Sequence, residues 1–155
     1  MSADYIQQRL STFDGVKRRY TVKTSGNNIY VDDYAHHPTA IRYVIEATRS
    51  RYPHKKIVPV FQPDRFSRGL RFAKEFAEAM DLADYPFFVH FPENAKKEPG
   101  IDIDIYDIAK YNPRAQVIHE DEAAVKLLSQ YDNVVYLFMS SKDIYKLEDQ
   151  VIAYK

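Results

Sequence analysis

The chain has 155 residues, 45% hydrophobic and 28% charged, a globular composition that supplies one substantial core and excludes a disordered chain. Lys plus Arg and Asp plus Glu are equal at 22 each, so no global field recruits nucleic acid or a lipid surface, and any anion site must be local. Cysteine is absent, which excludes disulfides and thiolate metal sites; with no signal peptide or long apolar span, no membrane association is expected and the expected location is the cytoplasm.

Behind Ser2 as N-cap, Tyr5, Ile6 and Leu10 recur at helical spacing and predict a leading helix over residues 3–13, ended by Asp14-Gly15. Val16 to Thr24 alternates, and after Ser25-Gly26-Asn27 the alternation resumes through Ile29 and Val31. This predicts a hairpin, with Arg18 and Arg19 near the start of its first strand on opposite faces. The second strand, Asn28 to Asp33, empties into Tyr34-Ala35-His36-His37-Pro38-Thr39. Pro38 suits a first helical position, and Ile41, Val44, Ile45 and Ala47 make one face of a helix to Tyr52, stopped by Pro53.

Ile57 to Phe61 is almost wholly apolar, as in a strand covered on both faces, and it leads into a second polar turn, Gln62 to Arg68. Ser67 to Leu82 reads as one long amphipathic helix with Leu70, Phe72, Ala73, Phe76, Ala77 and Met80 inward. An aromatic strand over 85–91, a surface loop over 92–100, a helix over 105–111, a strand over 115–119 and a helix over 122–131 follow. Val134 to Met139 is a last buried strand, and a terminal helix reaches about Ala153. Strands alternating with helices at this spacing predict a single domain over 1–155. Its expected fold is three-layer α/β/α, with a doubly wound, mostly parallel, Rossmann-like sheet of about six strands and one antiparallel edge strand.

Both polar turns then lie on the carboxyl rim of the sheet, where such folds bind ligands. Asp32, Asp33, Tyr34, His36 and His37 are more titratable and aromatic groups than a helix cap needs. If the chain stays extended past Asp33, then Asp32, Tyr34 and His36 share one face, and Asp33, Ala35 and His37 share the other. His37 precedes Pro38, which keeps it extended and marks it to pack back or cap the helix, leaving His36 to face the site. Arg65 and Arg68 can grip a carboxylate or a phosphate bidentately; the plainer alternative is an exposed pair salt-bridged to Asp64. Adjacent residues on a turn rarely point at one ion, and His54, His90 and His119 read as scattered, so no protein-built metal centre is expected. The four glycines, Gly15, Gly26, Gly69 and Gly100, form no phosphate-cradling loop, and no serine sits in a Gly-x-Ser-x-Gly elbow. A nucleotide would be handled by side chains, or with another domain.

Four stretches carry a family resemblance: Phe13-Asp14-Gly15-Val16-Lys17-Arg18-Arg19; Asp32-Asp33-Tyr34-Ala35-His36-His37-Pro38-Thr39; Val60-Phe61-Gln62-Pro63 with Arg65, Ser67 and Arg68; and Leu137-Phe138-Met139 with Asp143-Ile144. With these, spread through nearly the whole chain in order, it resembles the C-terminal domain of the Mur ligases, most closely their alanine-adding branch. The resemblance implies an ATP-dependent, amide-forming ligase of peptidoglycan precursor synthesis, built from a UDP-sugar domain, a central P-loop domain and this third, amino-acid-binding domain. ATP with magnesium would turn the carboxylate of UDP-N-acetylmuramate into an acyl phosphate, which the amine of L-alanine attacks. ATP and magnesium would be held mainly by the central domain, so the isolated domain is expected to be inactive. By the same resemblance, Arg19 and Asp33 match nucleotide-contacting positions, while Tyr34, His36, Arg65 and Arg68 match positions around the amino acid. The chain departs from the family pattern at Asp64 (usually His), Gly69 (usually Thr), Ser140-Ser141-Lys142 (usually a glycine-containing turn) and Ala40 (commonly Glu). Ala40 matches the branch that recycles a whole tripeptide, which is the alternative within the family. The alternative outside it is a non-catalytic anion- or nucleotide-binding module.

Overall fold

The computed structural model describes residues 19–92 and 98–154. The expected leading helix, Arg18 and the middle of the 92–100 loop lie outside the described residues. The elements in order are β1 (Thr21–Ser25), β2 (Asn28–Asp33), α1 (Pro38–Arg51), β3 (Lys56–Phe61), α2 (Phe66–Arg71) and α3 (Ala73–Met80). They continue with β4 (Phe87–Val89), α4 (Tyr106–Ala109), β5 (Gln116–Ile118), α5 (Glu122–Leu128), β6 (Val134–Met139) and α6 (Tyr145–Tyr154). The six strands form one sheet in the order β1-β2-β6-β3-β4-β5, with β1 antiparallel to β2 and every other pair parallel.

The β1–β2 hairpin closes on the pair Ser25–Asn28, so its loop is Gly26-Asn27, and Gly26 takes the left-handed φ of 58° that such a loop requires. β3 and β6 alternate between two cores because both faces of the sheet are covered. Ile57, Phe61, Val135, Leu137 and Met139 pack with Ile41 and Ile45 of α1 and Phe76 of α3. Val58, Val60, Val134, Tyr136 and Phe138 pack with Leu128 of α5 and Leu147 of α6. The three-layer, mixed-sheet arrangement expected from the alternation is thus present. Among the described residues no helix is long and apolar enough to cross a membrane.

The long helix expected over 67–82 is two helices. The chain breaks at Phe72, whose φ of −114° and ψ of 20° leave the helical region, and α3 restarts at Ala73. Leu70, expected to point inward, is 56% exposed, while Ala73, Phe76, Ala77 and Met80 are buried as expected. Gly69 instead makes the close approach on α2: a Cβ there would lie 3.1 Å from Phe91 Cζ and 3.4 Å from Ile108 Cδ1. Gly69→Thr, the family's usual residue, should overpack this contact and lower stability by about 1–3 kcal/mol in urea denaturation. An unchanged midpoint would show that the Phe91 ring moves aside without loss.

Candidate functional site

The carboxyl ends of β2 and β3 flank β6, so the two polar turns open on one rim. The ends are stitched together: the Ser140 N–H donates to the Asp33 carbonyl at 3.2 Å and the Gln62 N–H to the Met139 carbonyl at 3.1 Å. The buried Gln62 amide also donates to the His90 carbonyl at 3.0 Å and to the Glu120 carboxylate.

Asp33 holds the turn from inside. Its carboxylate accepts the Tyr20 N–H on Oδ2 and the Ala35 N–H on Oδ1, both at 2.8 Å. Burial pushes its pKa up, against the pull of those two N–H groups. Tyr20 has a φ of 48°, a left-handed conformation that is strained for an aromatic residue, which is why β1 begins only at Thr21. It is held there at three points. Its N–H is on Asp33, its hydroxyl lies 2.9 Å from Thr48 Oγ1, and the Arg51 guanidinium sits 5.6 Å from its ring centroid. Thr48 spends its own proton on the Val44 carbonyl at 2.8 Å, so the Tyr20 hydroxyl is the donor to Thr48.

His36 and His37 separate as the proline argument requires. The His37 ring accepts the Thr39 N–H at 3.3 Å as the N-cap of α1 and meets Phe72 edge-on at 4.9 Å. His36 turns the other way: its Nδ1 lies 2.8 Å from the Tyr34 carbonyl and its ring meets Tyr34 edge-on at 4.9 Å. A carbonyl can only accept, so Nδ1 carries the proton in the neutral ring and Nε2 is left as an acceptor.

Two depressions meet at His36. A groove of about 740 Å³ runs from Arg19, Asp33, Tyr34 and His36 along α1, past Tyr43, to Arg51. A tight cleft on the other side, with no space for a water-sized molecule, is formed by His36, Phe61, Asp64, Arg65 and Arg68. The six residues singled out by resemblance thus fall into two sets. Arg19, Asp33 and Tyr34 line the groove, Arg65 and Arg68 line the cleft, and His36 lines both. Tyr34 is therefore on the groove side and not in the arginine cleft. The alternative of a salt-bridged arginine pair is met only by Arg68, 3.9 Å from Asp64.

Two expectations are corrected. Asp32 does not join Tyr34 and His36: it is 5% exposed, lines neither depression, and its charge bears on Glu148 of α6. The strand ends at Asp33, and Asp33, Tyr34, Ala35, His36 and His37 all line the groove, so strict alternation fails. His90 and His119 are not scattered. They follow the adjacent strands β4 and β5, and their rings stack 3.7 Å apart and within 3° of parallel. Burial and the neighbouring His119 lower the pKa of His90. Among the described residues no group of three His, Asp or Glu could hold a metal ion. Tyr43 and Arg51 of the groove went unread, although Ala40, Tyr43, Val44, Ala47 and Arg51 recur at helical spacing beside the core stripe.

Residues 18–141 match the family model described as Mur ligase, glutamate ligase domain. The chain belongs to the Mur ligase C-terminal domain family. Solved structures share its fold. A domain attributed to a UDP-N-acetylmuramate:L-alanyl-γ-D-glutamyl-meso-diaminopimelate ligase of Haemophilus ducreyi has 23% identity and a TM-score of 0.66, the match covering 88% of this chain and 98% of that one. UDP-N-acetylmuramate-alanine ligase of Thermotoga maritima has 24% identity and a TM-score of 0.64, covering 88% of this chain and 29% of that one. A murein peptide ligase of Psychrobacter arcticus has 22% identity and a TM-score of 0.69, covering 94% of this chain and 31% of that one. This Mur ligase domain therefore spans about three-tenths of the length of the two longer enzymes.

Proposed function

We propose that this Mur ligase domain is the amino-acid-binding third of an ATP-dependent ligase that joins L-alanine to UDP-N-acetylmuramate through an acyl phosphate. The observation that carries the reading is the position of His36, between a groove holding Arg19 and a cleft holding Arg65 and Arg68. Cations on both sides of one imidazole suit a reaction between a phosphorylated carboxylate and an amino acid. Arg65 and Arg68 suit the alanine carboxylate, and Arg19 suits the nucleotide. Asp33 supports Arg19 through the backbone of Tyr20, which it pins directly beside it. The resemblance assigns ATP and magnesium to the central domain. Bound there, ATP and magnesium would supply the phosphoryl group and neutralise its charge.

Fused to the UDP-sugar and central domains of an alanine-adding ligase, the domain is expected to support amide formation, and alone to hydrolyse no ATP. Turnover by the chain alone would overturn the divided site. In the fusion, Arg65→Ala or Arg68→Ala should raise the Michaelis constant for alanine by about tenfold or more, the loss of a charge-assisted hydrogen bond. A raised constant for ATP with that for alanine unchanged would reassign both arginines to the nucleotide. A second reading, tripeptide in place of alanine, is favoured by Ala40 lining a groove far larger than alanine and by the two peptide ligases among the structural relatives. Preference of the fusion for tripeptide over alanine would select it.

A further inference from the structure

The cleft beside His36 holds charges of both signs whose hydrogen-bonding capacity the described residues leave unused. The Asp64 side chain is only 12% exposed and that of Arg68 29%, and their Oδ1–Nη1 separation of 3.9 Å is beyond hydrogen-bond reach. Among the described residues the Asp64 carboxylate accepts no hydrogen bond, and the exposed Arg65 guanidinium has neither a hydrogen bond nor an ion pair. A half-buried carboxylate keeps only part of its hydration, and a donor that reaches it is favourable.

The balance of charge decides what can fill this need. A simple carboxylate would satisfy the arginines, be repelled by Asp64 and leave Asp64 without a donor. A simple cation would do the reverse. A zwitterion satisfies both, because its ammonium and carboxylate are as close together as Asp64 and Arg68. We propose that Asp64 is a positioning and specificity residue that holds the ammonium of an amino acid while Arg65 and Arg68 hold its carboxylate. The proposal rests on the carboxylate clamp proposed above and adds the group that selects for the amine. His36 lines the same cleft with Nε2 as a second acceptor. Since the cleft is closed to a water-sized molecule as it stands, entry requires an arginine to swing out, which the solvent-exposed Arg65 does at little cost.

The test is a titration of the isotope-labelled 155-residue chain, followed by backbone amide shifts, with L-alanine and with propionate, which lacks the amine. The chain should bind alanine at least about tenfold more tightly than propionate, as a charge-assisted hydrogen bond requires, and Asp64→Asn should bring the two within about twofold. Asp64→Glu, which restores the charge, should recover part of the preference, and Arg68→Ala should weaken both ligands. A tenfold preference that survives Asp64→Asn overturns the role of Asp64 while leaving the clamp in place. Equal tightening of both ligands by Asp64→Asn would make Asp64 a mere competitor and likewise overturns it. Alanine binding indifferent to Arg68→Ala, or absent at any accessible concentration, overturns the clamp and the proposal together.

Discussion

At pH 8, Glu148→Gln should be more stable than the unsubstituted chain by about 3 kcal/mol, and near pH 4.5 the difference should vanish. Glu148 lies on α6 against the hairpin, its side chain 0% exposed, 3.1 Å from Lys23 Nζ, with no hydrogen bond to either oxygen among the described residues. Burial pushes its pKa from 4.5 to about 7, against the pull of Lys23. Lys23 itself is shifted up: burial acts against its charge, but Asp149 and Glu148 more than offset that. The partners differ because the Lys23 side chain is 44% exposed and keeps much of its water, while Glu148 keeps none. In the unfolded chain Glu148 ionises near 4.5, and in the folded chain it holds its proton until about 7. Between these values the folded state binds more protons, so stability falls as pH rises through the window and stays low above it. Glutamine stays neutral and removes the penalty. Urea denaturation of both proteins at pH 4.5 and pH 8 measures the difference, and a Glu148→Gln variant less stable than its parent at pH 8 would show that the ion pair outweighs burial.

His36→Ala and His37→Ala should differ in kind, although the residues are adjacent. In the fusion with the two preceding domains, His36→Ala should lower turnover by about a hundredfold or more, the scale of a positioned acid–base or polar group. It removes the one side chain shared by groove and cleft, with its free Nε2. His37→Ala removes an N-cap and a ring contact with Phe72, so it should cost about 1 kcal/mol of stability and leave turnover within a few-fold. Comparable turnover losses from both variants, with both folded, would disprove the division of labour.

The reading of this turn from sequence succeeded where a local rule was sufficient. The residue before a proline is held extended, and His37 accordingly caps α1. It failed where a rule was extended past its range: alternation placed Asp32 with Tyr34 and His36, but the chain leaves the strand at Asp33 and Asp32 stays under α6. The split at Phe72 was hidden because two helices in near register share one amphipathic pattern. The His90–His119 stack was hidden because residues 29 positions apart meet only through the pairing of β4 with β5.

What the sequence by itself determined is what depends on neighbours along the chain. The bounds of β2 and β6, the start of α1 at Pro38, the Gly26 hairpin and the two polar turns at strand ends all follow from periodicity, backbone sterics and hydrogen-bonding capacity within a few residues. Only the tertiary structure decided what depends on strand order and on which helix covers which face. Inserting β6 between β2 and β3 sets the two turns side by side with His36 shared between groove and cleft. Laying α6 over the hairpin buries Glu148 beside Lys23 and Asp32. Threading Tyr20 onto Asp33 and Thr48 brings Arg19 to the groove. These contacts join residues 13 to 125 positions apart, and no local pattern encodes which of the many possible pairings the fold adopts.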